Sequence, residues 1–338
     1  MAIKRPKICL LFCGGTTLIS RNDKTTEVHA KSDIKPWLDD VPELAVISSI
    51  EPIFVFGGAA ESVSPEIWTT LAKEIKKNYS AYDGFVITHD FDSIVYTGAA
   101  LSFMLQNLGK PIVLTGSQDS PGLPVKGSQK VFDSFLRLGI RANLINAVQV
   151  ATMDLAEVSI MYGNHLLRAT QTRKTPSETQ SLAEATGEGL GKADFGIKLS
   201  EEHQRRRRTA VIVHPELEPN VFSLHLHPGM NLKSGLDLLG PGVKGLLIRA
   251  TDVALKTPDY QFLERFASQR RLPVFLSQMT EAKGPKLPHL IELPSMLPEV
   301  ALVKVMWALG QTKSLTQLRE LVNENLANEF LKPLGEGK

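Results

Sequence analysis

The strongest constraint on the fold comes from one stretch, residues 82–118, which has the pattern of a strand, a polar turn, a helix and a second strand. Residues 84–88 are a short apolar run without alternation, which is typical of a strand buried on both faces. Residues 94–108 carry apolar side chains at helical spacing and end before Gly109, a residue that commonly follows a helix. Residues 111–115 form the next apolar run. This order predicts a parallel β–α–β unit.

The polar turn between the first strand and the helix is the candidate functional site. It reads His89-Asp90-Phe91-Asp92-Ser93. Open α/β sheets bind their ligands at the carboxyl ends of parallel strands, and this turn follows such an end. We therefore expect the function of the chain to depend on these five residues.

The remaining sequence repeats the alternation of strands and helices. Apolar runs predict further strands at residues 8–13, 51–56, 147–151, 157–162, 209–213, 221–226, 244–249, 272–276 and 289–293. Helical spacing predicts helices at residues 65–78, 130–138, 233–239, 259–270, 298–309 and 314–325. Residues 177–191 are rich in turn formers and are predicted to be irregular surface. The chain is therefore predicted to be α/β, with a larger mostly parallel sheet flanked by helices and a smaller C-terminal α/β domain.

Three segments are predicted: an N-terminal domain at residues 1–190, a linker at 191–208 and a C-terminal domain at 209–338. The linker ends in four arginines, residues 205–208. Such a run could bind phosphate or nucleic acid. Because it is short, isolated and preceded by two glutamates, a solvated linker is the favoured interpretation.

Composition gives no reason to expect a nucleic-acid or membrane partner. The formal net charge is +2, and charged residues make up 22% of the chain, as in ordinary globular proteins. No apolar stretch approaches the length of a membrane span. Cys9 and Cys13 lie too close together on one strand for a structural disulfide, which indicates reduced thiols and a cytoplasmic protein.

Four motifs in order resemble one family. They are Cys13-Gly14-Gly15-Thr16, the stretch 82–118, residues 167–174, and Met296-Leu297-Pro298-Glu299 with the following residues 304–307. Over nearly its whole length the chain resembles the bacterial-type L-asparaginases, and most of all their cytoplasmic type I branch. The resemblance implies an asparaginase-like two-domain fold, hydrolysis of L-asparagine to L-aspartate and ammonia, no cofactor or metal, and a homodimer or homotetramer. It also implies a small amino-acid-like ligand.

The resemblance assigns a role to individual positions. Thr16 falls on the nucleophile, and Asp92 and Lys174 fall on the aspartate and lysine of the second catalytic cluster. The implied substrate-binding positions are Gly15, Ala60, Glu61, Asp90, Phe91 and Asp92. An oxygen nucleophile needs a proton acceptor close by, and the developing oxyanion needs donors.

Several of these positions depart from the family pattern. Phe91 replaces the second catalytic threonine and Asp90 replaces the preceding glycine, while Ser93 is a mild change from threonine. Ala60 replaces a substrate-binding serine, and Thr26 falls near the place of the flap tyrosine. In the second domain, Asp252 begins a segment that differs from the family's glycine-rich turn. The added carboxylate of Asp90 could pair with Lys174, as could Asp92.

Other interpretations of the same residues stay open. Thr16 could be a turn hydroxyl that bonds its own backbone, and Cys13 could be an activated thiolate, although a small buried core residue is favoured. Glu61, His89, Asp90 and Asp92 could form a hard-cation site, but caps and an ion pair are favoured. His225 and His227 alternate on a strand and could suit zinc, but no third ligand is visible.

Two hypotheses therefore compete. In the first, the chain is a working asparaginase or related amidohydrolase that uses Thr16 in a remodelled pocket. In the second, it is a relative with a degenerate site, in which hydrolysis is lost or strongly impaired and a binding or structural role remains. The changes cluster at the site while the scaffold motifs are intact, which favours the second hypothesis.

Overall fold

The computed structural model of this chain describes residues 5–13, 17–19, 25–57, 63–117, 129–175, 181–184, 189–237, 239–251, 253–278 and 285–331. The chain divides into two compact units, Met1–Val213 and His214–Lys338. Each unit contains a parallel sheet with helices, and each is considered separately below.

The first unit contains most of the strands. They are β1 (Lys7–Cys13), β2 (Thr17–Ile19), β3 (Thr25–Glu27), β4 (Ser49–Phe56), β5 (Gly84–Asp90), β6 (Leu105–Gln106), β7 (Ile112–Ser117), β8 (Val158–Tyr162), β9 (His165–Arg168), β10 (Thr172–Thr175), β11 (Ser181–Glu184), β12 (Gly191–Ala193), β13 (Ile197–Leu199) and β14 (Ile212–Val213). Its helices are α1 (Ile34–Asp39), α2 (Glu43–Ile47), α3 (Pro65–Asn78), α4 (Ile94–Met104) and α5 (Gln129–Thr152).

An eight-stranded sheet forms the centre of this unit, in the order β13-β12-β9-β8-β7-β5-β1-β4. Five neighbouring strands of this sheet pair in parallel, namely β4, β1, β5, β7 and β8. The other three, β9, β12 and β13, pair antiparallel with their neighbours. Every residue of β5 is buried, because helices cover both faces of a parallel sheet. The predicted larger, mostly parallel sheet is confirmed.

The second unit contains a smaller sheet of four parallel strands in chain order. Its strands are β15 (Val221–His225), β16 (Gly245–Ala250), β17 (Val274–Gln278) and β18 (Leu290–Leu293), and its helices are α6 (Leu232–Leu236), α7 (Thr257–Arg270), α8 (Pro298–Gln311) and α9 (Leu315–Asn323). These elements match the predicted ones to within a few residues, which confirms the smaller C-terminal α/β unit. Within the described ranges, no helix combines the length and apolarity that a membrane span requires.

The strand predicted at residues 147–151 is wrong, because these residues form the end of helix α5. Ala147, Val148, Val150 and Ala151 are buried in the hydrophobic core of the first unit. A short apolar run in a buried helix cannot be distinguished from a buried strand by periodicity alone. The prediction also ended the helix at residue 138, although α5 continues for fourteen residues beyond that point, to Thr152.

The structure also differs from the predicted linker and the predicted irregular surface. Strands β12 and β13 of the large sheet lie within residues 191–208. Strand β11 lies within residues 177–191, where it pairs antiparallel with β10. Three-residue and four-residue strands carry too little periodic signal to be recognised in the sequence.

One glycine is required where β7 passes β5. Gly116 is paired with His89, and a Cβ at Gly116 would overlap the backbone oxygen of His89. We expect Gly116→Ala to lower the free energy of unfolding by about 1–3 kcal/mol, because the strands must move apart. Gly196→Ala is the matched control, since a Cβ at Gly196 meets nothing within 4 Å. Urea unfolding measures both variants, and equal losses would contradict the close strand approach.

Candidate functional site

The candidate turn lies between β5 and α4, at the carboxyl edge of the large sheet. Strand β5 continues through His89 and Asp90, two residues beyond the predicted end of the strand at residue 88. Phe91, Asp92 and Ser93 then connect it to α4, which begins at Ile94. The turn therefore occupies the predicted position, but its first two residues are fixed by strand pairing.

Asp90 is a buried carboxylate with a full set of partners. Its Oδ1 accepts a hydrogen bond from the Ser93 backbone N–H at 2.7 Å, and its Oδ2 accepts one from Ser93 Oγ at 2.7 Å. The same Oδ2 lies 3.0 Å from His89 Nδ1. Burial alone would raise the pKa of Asp90, but the hydrogen bond and charge of His89 and the bonds from Ser93 lower it to about 2. Asp90 is therefore ionised.

His89 is fully buried and bonded at both ring nitrogens. Nδ1 faces the Asp90 backbone oxygen at 2.9 Å as well as the carboxylate, so Nδ1 carries a hydrogen. Nε2 lies 2.8 Å from Thr97 Oγ1, which accepts a hydrogen bond from Trp68 Nε1 at 2.9 Å. Burial alone would lower the pKa of His89, but Asp90 and Cys13 outweigh it and raise the pKa to about 10. The imidazole is therefore held as a cation.

Phe91 packs inward rather than out into solvent. Only 7% of the residue is exposed, and its ring centre lies 5.4 Å from the ring centre of Tyr162 at a tilt of 48°. This distance is in the range of favourable aromatic pairs. Burial raises the pKa of Tyr162, so its phenol is neutral. An apolar aromatic pair therefore occupies this part of the turn.

Lys174, on β10, lies next to both Phe91 and Asp92. Its Nζ is 5.4 Å from the centre of the Phe91 ring and 3.4 Å from Asp92 Oδ1. The side chains of Lys174 and Asp92 are 39% and 61% exposed, and an ion pair this open contributes little to stability. Asp90, in contrast, pairs with His89. The predicted pairing of Lys174 is therefore made by Asp92 and not by Asp90.

Comparison with known proteins identifies the family. The model described as "Asparaginase, N-terminal" matches residues 7–203 of this chain. The chain belongs to the asparaginase family. The predicted resemblance is thus confirmed.

Two curated relatives and one solved structure illustrate the likeness. The chain is 31% identical to a glutamyl-tRNA(Gln) amidotransferase subunit of Thermococcus kodakarensis, over 96% of this chain and 76% of that protein. It is 31% identical to L-asparaginase 1 of Escherichia coli, over 80% of this chain and 81% of that protein. The crystal structure of L-asparaginase I from Vibrio cholerae superposes with a TM-score of 0.78 at 25% identity, over 97% of this chain and all of that one.

Several asparaginase positions lie outside the described residues. These are Gly15, Thr16, Ala60, Glu61 and Asp252. Thr26 falls in β3, but its side chain also lies outside the description. The structure therefore brings together Phe91, Asp92 and Lys174 of the assigned positions, and the roles given to the others stay predictions.

The proposed metal sites gain no support from the described part of the chain. There, no group of three or more His, Cys, Asp or Glu side chains could hold a metal ion. His225 Nε2 lies 3.4 Å from Thr251 Oγ1, and His227 Nδ1 lies 3.0 Å from the backbone oxygen of Pro228. Neither histidine therefore directs these nitrogens at a common metal position.

Two of the four consecutive arginines anchor the chain to the first unit. The Arg206 guanidinium donates to the backbone oxygens of Asp83 at 2.5 Å and Ala151 at 2.7 Å, and Arg207 Nε donates to Leu108 O at 3.0 Å. The partners in these bonds are between 55 and 123 positions apart in the sequence. Arg206 and Arg207 are therefore bonded to the first unit, although Arg207 itself is exposed.

Two neighbours of the site are missed by sequence reasoning. The sequence predicts Tyr162 only as the end of a strand, and it does not by itself connect His89 to Cys13. A partial signal exists for the second pair, because Cys13 ends β1 and His89 follows Thr88, which pairs with Phe12 of that strand. No signal in the sequence indicates that Tyr162 packs on Phe91.

Proposed function

We propose that this chain is a cytoplasmic asparaginase-family protein that hydrolyses L-asparagine weakly or not at all, a pseudoenzyme with a binding or structural role. The observation that carries the proposal is the placement of Phe91, buried against Tyr162 and beneath Lys174 Nζ. At this position the family resemblance implies a threonine hydroxyl. A phenyl ring can neither donate, accept nor relay a proton.

The loss of this hydroxyl is expected to be costly. Removing one positioned catalytic group typically lowers the rate by a factor of about 10² to 10³. The remaining polar groups, Asp92 and Lys174, are bonded to each other in an exposed pair. Lys174 is therefore left without the hydroxyl that it would activate.

Ammonia release from L-asparagine and L-glutamine by the purified chain tests the proposal. We expect release no faster than that of a Lys174→Met variant, which lacks the remaining catalytic cation and gives the background. Turnover of about 1 per second or faster, as in ordinary enzymes, would show that the family reaction is retained. The alternative function, an active amidohydrolase with Thr16 as nucleophile, would then be correct. The retained ion pair of Asp92 and Lys174 is the observation that favours this alternative.

Binding of L-aspartate or L-asparagine is expected to be absent at millimolar concentration. The Phe91 ring adds volume in place of a small side chain, at a position where the resemblance implies substrate binding. We therefore expect no rise in the thermal midpoint. A ligand at one hundred times its dissociation constant would stabilise the chain by about 2.7 kcal/mol. A clear upward shift with L-aspartate would show that the pocket still accepts the family ligand.

A second candidate function is that of one component of an amidotransferase. The observation in its favour is the likeness to a glutamyl-tRNA(Gln) amidotransferase subunit over 96% of this chain. Native mass spectrometry of the protein purified from its own cells distinguishes this function from the first proposal. A homodimer or homotetramer alone supports the first proposal, whereas a stoichiometric second polypeptide with bound tRNA supports the amidotransferase component.

A further inference from the structure

Residues 204–209 form an irregular segment that is fixed to the first unit, and we call it the arginine strap. The Arg206 guanidinium donates to the backbone oxygens of Asp83 and Ala151. The backbone N–H of Arg206 donates to Asp154 Oδ1 at 2.7 Å. Asp83 directly precedes β5, so the strap lies at the amino edge of the large sheet, opposite the candidate turn.

Further bonds fix the strap beside the start of β7. The backbone N–H of Arg207 donates to Gly109 O at 3.3 Å, and its Nε donates to Leu108 O at 3.0 Å. Thr209 Oγ1 donates to Asn107 O at 2.9 Å. Because the backbone of the strap is held along its length, the exposed side chains project from fixed positions and lose little freedom when they bind a partner.

Three guanidinium groups of the strap remain on the surface. Arg205, Arg207 and Arg208 are exposed, whereas Arg206 is half-buried. Among the residues that the structure describes, the side chains of Arg205 and Arg208 have no hydrogen-bond or ion-pair partner. A guanidinium is always charged in a protein, and adjacent like charges repel each other. The strap therefore creates a local positive potential that a bound anion would relieve.

The surface around the strap adds further cations. Tyr79, at the end of α3, connects this helix to the strap, because its hydroxyl accepts a hydrogen bond from the Gly109 N–H at 2.7 Å. The cations of this surface are Lys7, Lys76, Lys77, Lys110 and the four arginines, and its carboxylates are Glu74, Asp83, Asp154, Glu201 and Glu202. Three of these five carboxylates are already engaged, one in an ion pair with Lys77 and two by backbone N–H groups. Positive charge therefore exceeds negative charge on this surface.

We propose that the arginine strap is a docking surface for double-helical nucleic acid, which it holds by the phosphates. A guanidinium binds a phosphate through two parallel hydrogen bonds. A duplex offers such groups densely, with about one negative charge per 1.7 Å of its axis. Single strands bind instead to exposed aromatic rings on which their bases stack. The rings beside the strap do not suit stacking, since Tyr79 is buried and Tyr82 is half-buried.

A protein partner fits this surface less well. Protein interfaces have a core of apolar and aromatic side chains with few charges, whereas nucleic-acid interfaces are polar and strongly positive. In the described part of the chain, the exposed large apolar side chains are those of Val46, Phe195 and Ile212. Of these, Ile212 alone follows the strap closely in the sequence, and one side chain does not make an apolar core. The surface offers contacts to phosphates and not to base edges, so binding is independent of sequence.

Docking at the strap leaves the candidate site open. The strap contacts the residue before Gly84, and the candidate turn follows at the other end of β5, about 20 Å away along a strand of seven residues. The inference rests on neither the loss of asparagine hydrolysis nor the activity of any relative. Ammonia release and nucleic-acid binding are therefore separate measurements, and either can fail without the other.

Fluorescence anisotropy with the unmodified full chain tests the proposal. The probes are labelled 20-base-pair RNA and DNA duplexes of one sequence and the corresponding single strands. We expect micromolar binding of both duplexes at 0.05 M salt, with affinities within about threefold of each other and tighter than those of the single strands. The logarithm of the binding constant should fall with the logarithm of the salt concentration with a slope of about −3, as for three phosphate contacts.

Three results of this titration would overturn the proposal. The first is no binding of either duplex at about 100 μM chain, since even non-specific sites bind in the range of about 10⁻⁴ to 10⁻⁶ M. The second is equal affinity for poly-L-glutamate, a polyanion without phosphate, which would indicate an acidic protein partner. The third is tighter binding to vesicles of phosphatidylcholine and phosphatidylserine than to the duplexes, which would indicate a membrane surface.

A double variant then locates the binding surface. Arg205→Gln with Arg208→Gln removes two exposed charges without breaking any bond described for the strap. We expect it to weaken duplex binding at least about tenfold at 0.1 M salt and to reduce the salt slope by about 2. Lys31→Gln with Lys35→Gln is the matched control, because it removes the same charge at exposed positions of the first unit. It should change the affinity by less than about twofold. Equal weakening by the two double variants would mean that only net charge matters, and the proposal would be wrong.

Discussion

Replacement of Phe91 by threonine, together with Asp90→Gly, is expected to raise the rate of ammonia release from L-asparagine by about a hundredfold or more over the unmodified chain. The double variant restores the hydroxyl beside Lys174 and the glycine before it. It also removes a buried carboxylate that bonds His89 and Ser93. We therefore expect a gain in activity combined with a loss of stability.

A single variant and a control variant separate the gain in activity from the loss of stability. Phe91→Thr alone leaves the pair of His89 and Asp90 intact, so it should lose less stability than the double variant and show part of the gain. Phe91→Leu removes the aromatic ring without supplying a hydroxyl, and it should stay at background. Equal gains in the leucine and threonine variants would mean that the ring acts only by its volume. No gain in the double variant, if it is folded, would place the defect at another position, such as Ala60.

Substitution of Glu329 by glutamine is expected to lower the free energy of unfolding of the second unit by about 3–5 kcal/mol. Lys304 on α8 and Glu329 are both fully buried and form an ion pair. The Lys304 ammonium also donates to Glu324 O at 2.5 Å and lies 4.7 Å from the centre of the Phe330 ring. Burial lowers the pKa of Lys304 because it disfavours the charged ammonium, whereas the charge of Glu329 favours it. The cation therefore depends on this carboxylate. Without the carboxylate, the buried ammonium loses the negative charge that compensates it.

The double variant Lys304→Met with Glu329→Gln should recover part of this loss, because it leaves no unpaired buried charge. Glu320→Gln, the same substitution at an exposed position of α9, should change the stability by less than about 0.5 kcal/mol. Urea unfolding followed by circular dichroism measures all three variants. A loss in Glu329→Gln as small as in Glu320→Gln would mean that water reaches Lys304.

The sequence determines the fold of this chain through its long periodic segments. The apolar run at residues 84–88, a helix that begins at residue 94 and the strands of the second unit can all be predicted, because each carries enough residues to show its period. The helix ends at Met104 and not at the predicted residue 108, because residues 105–106 form β6. The family motifs add the order of the elements and the assignment of Asp92 and Lys174. Short elements escape prediction: residues 147–151 belong to α5, and β11, β12 and β13 are too brief to show a pattern.

The sequence also carries the predicted replacement of a catalytic threonine, since Phe91 can be read directly from the chain. Only the tertiary structure decides what the substituted residues do. Whether Phe91 points inward depends on Tyr162, which is 71 positions away in the sequence and reaches it through the pairing of the sheet. Whether Asp90 serves Lys174 or His89 depends on the local bonds of its carboxylate, which lies 3.0 Å from His89 Nδ1 and accepts two hydrogen bonds from Ser93. Periodicity reports which residues are buried, but only strand register and packing report which buried residues meet.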